Sequence, residues 1–365
     1  MDNNASLNNL ARREARKGRG AASNRAGRYE RYASEACDDG WGSLDEPLDK
    51  LKTTVEADKS RTIITRNQSP DLGFDRSINV YRGCEHGCAY CYARPTHAFL
   101  GLSAGQDFES RIYAKHDAPS QLARELTKPG YKPQMIALGT NTDPYQPVES
   151  RLSLTRNILS VLSDFHHPVG IVTKSSLVTR DIDILASLAE RNLAKVILSV
   201  TSLDRELSRR LEPRASAPAK RLNAIRELST AGIPTGVYFA PVIPALNESE
   251  LEAIFEAASE AGATEAGYIL LRLPLEIRGL FEEWLDLHVP DKARHVMNRV
   301  RDMHAGRHYR SNFGLRQRGT GPSAELLHQR FRLARKKHGL DNPPLRLDTS
   351  LFCPPPKNED QLILI

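Results

Sequence analysis

Residues 80–92 read VYRGCEHGCAYCY, which sets Cys84, Cys88 and Cys91 in a C-x3-C-x2-C spacing within a chain of 365 residues and five cysteines. A closed structural zinc site takes four ligands, usually from two C-x2-C pairs or from a cysteine pair with a histidine pair. Only one C-x2-C pair exists here, so a fourth ligand would have to come from His86, His97, Cys37 or Cys353. A cubane iron-sulfur cluster whose work is electron transfer alone takes four thiolates. Three thiolates leave one iron open, and an open metal position marks a site that binds something else and reacts with it. An odd, clustered set of cysteines also suits a reducing compartment better than a disulfide framework does.

The flanks of this stretch set the fold. A strand-like run, RSINVYR at 76–82, leads into the cysteine loop, and the helix-like PSQLAREL (119–126) follows it. The chain then alternates QMIALGT (134–140), LTRNILSVLSD (154–164), PVGIVTK (168–174), TRDIDILASLAERN (179–192), AKVILSV (194–200) and APAKRLNAIRELSTAG (217–232). IPTGVYFAPV (233–242), NESELEAIFEAASEAG (247–262) and AGYILLRL (266–273) complete the series. Six continuous apolar, β-branched runs separated by helical patterns predict parallel strands covered on both faces. Asn247 with Glu250 predicts a capping box, and Gly232 a helix end. Six βα units in series imply an α/β barrel or an open doubly wound sheet, with chemistry at the carboxyl ends of the strands.

Outside this core, residues 1–60 predict a basic, mostly irregular arm, and 61–290 the α/β core. Residues 291–365 predict a basic helical extension with a Pro-rich tail, the helices being ARHVMNRVRDMH (293–304) and AELLHQRFRLARKKHG (324–339). The net charge of +6 is unevenly spread: 1–31 carries eight Lys or Arg against three acids, and 291–340 carries thirteen against three. Basic clusters of this kind can neutralise a phosphate backbone, or can be solvated tails. The first twenty residues lack an apolar run, and no stretch approaches the roughly eighteen apolar residues of a spanning helix. A cytoplasmic protein without a membrane partner is the expectation.

The motif C-x3-C-x-aromatic-C, with Tyr90 in the aromatic slot just after the first strand of a serial βα chain, resembles the signature of radical S-adenosylmethionine (SAM) enzymes. The resemblance implies a partial (β/α)6 barrel of about 230 residues and a [4Fe-4S] cluster on Cys84, Cys88 and Cys91. It further implies S-adenosylmethionine on the fourth iron and a reductase, flavodoxin or ferredoxin as electron donor. Reductive cleavage of the sulfonium would release a 5′-deoxyadenosyl radical that abstracts hydrogen from the substrate. The combination of YRGCEHGCAYCYARPTH, GTNTDPYQPVE, VTKS and EPRAS is similar to the spore photoproduct lyase-like branch, often described as DNA repair photolyases. That branch implies a nucleic-acid target, although motif kinship does not transfer a substrate.

Under this reading the strand ends should suit an amino-acid headgroup and a ribose. After the second strand, Gly139 allows close backbone approach, while Thr140, Asn141 and Asp143 can accept from an ammonium or bind hydroxyls. The family usually carries Gly-Gly-Glu here, and this sequence departs from it; an Asx turn before Pro144 is the structural alternative. Lys174 ends the third strand as a point charge for a carboxylate. Ser199 and Thr201 share one face at the end of the fourth strand, within reach of a ribose, and Arg214 could grip a carboxylate. His86 would shield the cluster or hydrogen bond to a sulfur, and His166 and His167 read as a polar connection. Cys37 and Cys353 read as spare thiols rather than as the radical-pocket hydrogen donor on which the lyase relies. A radical enzyme acting on a peptide or small metabolite, and a non-catalytic zinc-stabilised nucleic-acid-binding protein, remain alternatives.

Overall fold

The computed structural model describes residues 16–30 and 51–356. Two short strands come first, β1 (Thr54–Ala57) and β2 (Ile64–Arg66), then β3 (Arg76–Ile78), β4 (Tyr81–Arg82), helix α1 (Gln106–Ser110) and β5 (Arg111–Ala114). From there helix and strand alternate: α2 (Ala118–Leu126), β6 (Ile136–Leu138), α3 (Glu149–Leu152), α4 (Leu154–Asp164), β7 (Val169–Thr173), α5 (Ile182–Ala189) and β8 (Ala194–Ser199). The series continues through α6 (Arg205–Leu211), α7 (Pro218–Thr230), β9 (Thr235–Val242), α8 (Leu251–Glu260) and β10 (Glu265–Leu270). Helices α9 (Ile277–His288), α10 (Pro290–Met303) and α11 (Pro322–Lys337) follow.

Each of the six expected strands is present, and they lie side by side in chain order, β3-β6-β7-β8-β9-β10, all parallel. A doubly wound sheet reverses its strand order at a switch point. Addition always on the same side instead gives the curl of a partial TIM-like barrel. β7 and β8 are buried along nearly their whole lengths, which is why they read as continuous apolar runs. β2 adds to the first edge antiparallel to β3. The other edge, β10, is covered by the extension, through a bridge from Glu265 to Asp341 and a bond from Leu270 N to Gln317 O. Covering an edge in this way removes a pairing template.

Two expectations change. The run 76–82 is not one strand: after Ile78 the chain leaves the main sheet, and β4 joins a three-stranded sheet of order β1-β5-β4. Residues 16–30 of the amino-terminal arm form no helix or strand, yet Arg19, Ala21 and Ala22 are buried, and β1 follows at Thr54–Ala57. The capping box does not form. Asn247 is fully buried with its Oδ1 accepting from Ile243 N at 2.6 Å, while its Nδ2 donates to Thr201 O at 2.7 Å and Pro241 O at 3.0 Å. Glu250 accepts from Ser202 Oγ and Leu203 N instead. Asn247 therefore ties the ends of β8 and β9 together at the mouth of the barrel, and Glu250 fastens the chain leaving β8 to the start of α8. No helix among the described residues is long and apolar enough to cross a membrane.

The barrel has one core, between sheet and outer helices. A second apolar cluster is built by Phe281, Trp284 and Leu285 of α9 with Val296, Met297 and Val300 of α10, and it includes Cys88, Tyr90, Leu211 and Ile243. Helices α9 and α10 thus form a lid of apolar side chains over the cysteine loop, with Trp284 Nε1 bonded to Arg210 O at 3.0 Å.

Candidate active site

The loop from Gly83 to Ala93 leaves β4 at the carboxyl end of the barrel and is held from every side by backbone bonds. Cys84 N donates to Phe108 O at 2.8 Å, Ala89 N to Leu211 O at 2.9 Å and Arg214 N to His86 O at 3.3 Å. Gln146 clasps its start, accepting from Glu85 N at 2.8 Å and donating to Gly83 O at 3.2 Å. Arg94, fully buried, donates to Cys88 O at 2.9 Å, Gly87 O at 3.0 Å and Gly105 O at 2.9 Å, and pairs with the buried carboxylate of Glu109. Glu109 in turn accepts from Gly20 N at 2.9 Å and Ala21 N at 2.7 Å. Gly20 passes so close to the loop that a Cβ there would stand 1.7 Å from Gly87 O. The amino-terminal segment is therefore part of the wall of the site.

Cys84 and Cys88 are buried, Cys91 partly so, and none is in a disulfide. Burial, then the charges of Asp143, Cys88 and Cys91, pushes the Cys84 thiol far above its usual range. Burial, then Glu212, raises Cys88, and burial raises Cys91 despite Arg94. A ligand that takes up thiolate charge removes this cost, and metal ligation does so outright. Among the described residues no group of three His, Cys, Asp or Glu could hold a single metal ion. Cysteine thiolates on separate irons of a cubane have no such need, so the residues present fit that cluster.

Around the loop lie the predicted strand-end residues. Gly139 has φ +85°, and a Cβ there would stand 1.9 Å from Val172 O, so it is a glycine because β6 and β7 close onto each other beneath it. Gly139→Ala is expected to cost about 2 kcal/mol or more, read as a fall in the urea midpoint at unchanged slope. Thr140 exchanges hydrogen bonds with the Asn79 amide, and Asn141 N donates to Asn79 Oδ1 at 3.0 Å. Asp143 is engaged on both oxygens, with Tyr145 N at 2.9 Å and Thr173 Oγ at 2.6 Å on one, and Lys174 N at 2.8 Å and His86 Nδ1 at 3.3 Å on the other. Burial opposes its charge, yet His86, Thr173 and the Lys174 amide hold its pKa below the usual value. The Asx turn before Pro144 is present, and His86 faces Asp143.

Lys174, Ser199 and Thr201 converge on one buried network. Lys174 Nζ donates to Ser199 Oγ at 2.5 Å and Ala240 O at 2.9 Å, stands 3.5 Å from Glu212 Oε1 and lies 5.8 Å from the Tyr90 ring centroid. Thr201 Oγ donates to Glu212 Oε1 at 2.5 Å, and Tyr90 OH bonds to both Thr201 and Glu212. The second Glu212 oxygen pairs with Arg221, which also donates to Ser216 O at 2.7 Å and Ser199 O at 2.8 Å. Burial alone would raise the Glu212 pKa, but Arg221 and Lys174 bring it down to about 2. Arg214 is not part of this network: it pairs with Glu85 at 2.9 Å and Thr53 Oγ at 3.2 Å, and so fastens the loop to the amino-terminal segment.

Glu212 and Arg221 were missed. Glu212 sits in the LEPRAS stretch two residues before Arg214, whose charge is the more evident partner for a carboxylate ligand. Arg221 was detectable: along α7 the buried positions are Arg221, Ala224, Ile225 and Leu228, a helical stripe with an arginine on its apolar face. An arginine there needs a buried acid. A further correction concerns histidine. His167 is fully buried, its ring between Tyr131 OH at 2.8 Å and Pro168 O at 3.0 Å, and packs on Phe352. Cys353 is exposed with its N bonded to Phe165 O, at the strand-start end of the barrel and away from the cysteine loop. Cys37 lies outside the described residues.

Residues 78–258, the span that holds the cysteine loop and five of the six βα units, match the Radical SAM superfamily. A protein of Mycobacterium tuberculosis described as uncharacterized is 36% identical over 235 residues, covering 64% of this chain and 68% of that one. The chain belongs to the radical SAM superfamily. A Methanocaldococcus jannaschii protein, also described as uncharacterized, is 28% identical over 250 residues, covering 68% of this chain and 90% of that protein. Among solved structures, a spore photoproduct lyase variant superimposes with TM-score 0.55 at 16% identity, over 78% of this chain and 79% of the other. A second variant, with bound AdoMet and dinucleoside spore photoproduct, gives 0.55 at 17% identity over 78% of each. That likeness is one of fold. The protein is a radical SAM enzyme, and its cofactors are a [4Fe-4S] cluster and S-adenosylmethionine.

Proposed function

We propose that this radical SAM enzyme acts on a nucleic acid, either reversing a lesion as a lyase or modifying it. Cys84, Cys88 and Cys91 would hold the cluster. When bound, the cluster and S-adenosylmethionine supply a 5′-deoxyadenosyl radical for hydrogen abstraction. The chain's own part is to hold the reactants, exclude water and place charge. The α9–α10 lid and the Gly20–Ala21 wall cover the cysteine loop. We place the cofactor carboxylate at Lys174 and the ribose at Ser199 and Thr201, with Tyr90 beside them and Glu212 holding the ammonium of Lys174 in place. Lys174→Ala is expected to weaken S-adenosylmethionine binding about tenfold with the cluster retained. An unchanged Kd by calorimetry would remove Lys174 from the site.

The observation that carries the nucleic-acid reading is the distribution of positive charge in the extension, and the structure divides that charge in two. Helix α11 runs toward the strand starts, with Ser259 Oγ bonded to His338 O and Asn342 bonded to Thr264 O. Its basic end, Arg332, Lys336 and Lys337, therefore lies away from the cysteines, and Arg330 is spent on Glu252. The segment between α10 and α11 lies at the mouth, where His304 bonds to Leu271 O and Gln317 O accepts from Leu270 N. It carries Arg307, Arg310, Arg316 and Arg318, and Arg316 reaches Asp71 at 2.5 Å and Ser69 at 2.6 Å in the β2–β3 hairpin, across the gap between the two sheet edges. A spore photoproduct lyase of the same fold has been solved with a dinucleoside photoproduct, which agrees with such a target.

The test is anaerobic incubation of reconstituted protein with reductant and S-adenosylmethionine, with and without ultraviolet-irradiated DNA or structured RNA. Stimulation of 5′-deoxyadenosine release, with a mass change in the nucleic acid, is expected. A protein whose turnover responds to neither polymer would contradict the proposal.

A further inference from the structure

Four aromatic side chains stand well exposed among the described residues, Tyr29 (58%), Phe99 (69%), Tyr92 (43%) and Phe313 (57%). Each has an arginine over its ring. Arg28 lies 5.1 Å from the Tyr29 centroid and 5.5 Å from that of Phe99, Arg272 lies 4.1 Å from Tyr92, and Arg316 lies 4.8 Å from Phe313. Random solvent exposure scatters single apolar residues over a surface, whereas these gather. Tyr29 and Phe99 touch, with ring centroids 5.5 Å apart. Arg28 pairs with Glu276 at 2.8 Å, four residues beyond Arg272 at the end of β10. Phe313 and Arg316 belong to the segment between α10 and α11 that lies at the mouth of the barrel. Tyr92 follows Cys91 directly, so the row runs past the cysteine loop.

The charges in this row are uneven. Arg28 is neutralised by Glu276 and Arg316 by Asp71, whereas no carboxylate among the described residues pairs with Arg272. Its guanidinium is held against Tyr92 by the ring contact and by a side-chain hydrogen bond to the phenol, and its remaining N–H groups can meet an anion. A ligand that suits several exposed π-faces and one unpaired cation has several flat groups linked by negative charge. Stacking on aromatic and arginine faces with a phosphate contact is how unpaired nucleotides are held, and bases inside a duplex offer no such faces.

We propose that this aromatic–arginine row is a binding site for single-stranded or locally unpaired nucleic acid, with Arg272 contacting a phosphate beside the cysteine loop. The proposal rests on the nucleic-acid reading above and adds the form of substrate and the residues that select it. A protein partner docking its own apolar surface on these rings is the competing occupant.

The test is fluorescence anisotropy of anaerobically reconstituted protein with a labelled 12-nucleotide strand, the same sequence as a blunt duplex, and the RNA version of the strand. Phe99→Ala and Phe313→Ala are exposed changes outside the cluster wall, and iron content checks their folding. The parent is expected to bind strand over duplex, each alanine variant to bind the strand about tenfold more weakly, and Arg272→Gln to lower the log–log salt slope by roughly 0.7. Strand binding by the parent that all three variants retain in full would overturn the row as the site while leaving a nucleic-acid substrate standing. Equal affinity for duplex and strand would overturn the selection of unpaired nucleotides. Absence of binding to any of the three polymers would defeat the nucleic-acid reading and this proposal with it. DNA and RNA strands bound alike would support the row as a reader of stacking and phosphate alone.

Discussion

Cys84→Ala, Cys88→Ala and Cys91→Ala are each expected to abolish assembly of a stable [4Fe-4S] cluster, and with it all cleavage of S-adenosylmethionine. The reason lies in the proposed count of ligands: three thiolates from one loop would be the whole protein share, so losing one would leave two irons without a protein bond. The apo fold should survive, because the loop is held by Arg94, Glu109, Gln146 and backbone bonds rather than by sulfur. Iron and sulfide analysis with far-ultraviolet circular dichroism checks both halves. Full cluster content in any one variant would overturn the ligand assignment, and collapse of the dichroism would overturn the account of how the loop is held.

The second large effect is expected at Glu212. Its carboxylate accepts from Tyr90, Thr201 and Arg221 and faces the Lys174 ammonium at 3.5 Å, so Glu212→Gln leaves the buried Arg221 guanidinium without its counter-charge. Breaking one side of a buried pair costs about 3 kcal/mol or more at neutral pH. The pH dependence has a definite sign. A folded-state pKa of about 2 lies below the ordinary glutamate value near 4.3, so the unfolded chain takes up the proton first as pH falls. The stabilisation from Glu212 is therefore complete above about pH 4.5 and lost as pH drops toward 2. Urea unfolding of parent and variant should show a gap that is widest at pH 7 and closes in acid. A gap independent of pH would mean that Glu212 acts by shape and not by charge.

The barrel was legible because its central parallel strands are covered on both faces and so carry continuous apolar runs. PVGIVTK and AKVILSV became β7 and β8, and LTRNILSVLSD became α4 residue for residue. The small sheet was not legible, since β4 is two residues and β1, TVEA, is mostly exposed with nothing periodic to read. Long-range packing explains the remaining misses. Asn247 has the residue type of a helix cap, but its amide is worth more buried between the ends of β8 and β9. His167 beside a proline looks polar until Tyr131 and Phe352 close over it.

The site was legible to the depth of its motif. Cys84, Cys88, Cys91 and Tyr90 carry the spacing, and Lys174, Ser199 and Thr201 lie at strand ends where a βα barrel puts its chemistry. Arg214 and Glu212, two residues apart, show where local reading ends. Arg214 looked like a carboxylate grip and is held by Glu85 instead, while the neighbouring acid enters the core because α7 places Arg221 opposite. The split of the basic extension, with α11 turned from the mouth and residues 304–321 across it, depends on how α10 and α11 pack, which no single segment encodes.

The central claim is that the Gly83–Ala93 loop and its surroundings carry out radical SAM chemistry. The most direct measurement is 5′-deoxyadenosine, resolved by liquid chromatography after anaerobically reconstituted protein is reduced with dithionite and given S-adenosylmethionine. Release above that of the Cys88→Ala protein prepared in parallel is the predicted result. Equal release from parent and variant, with the parent carrying a full complement of iron and sulfide, would contradict it.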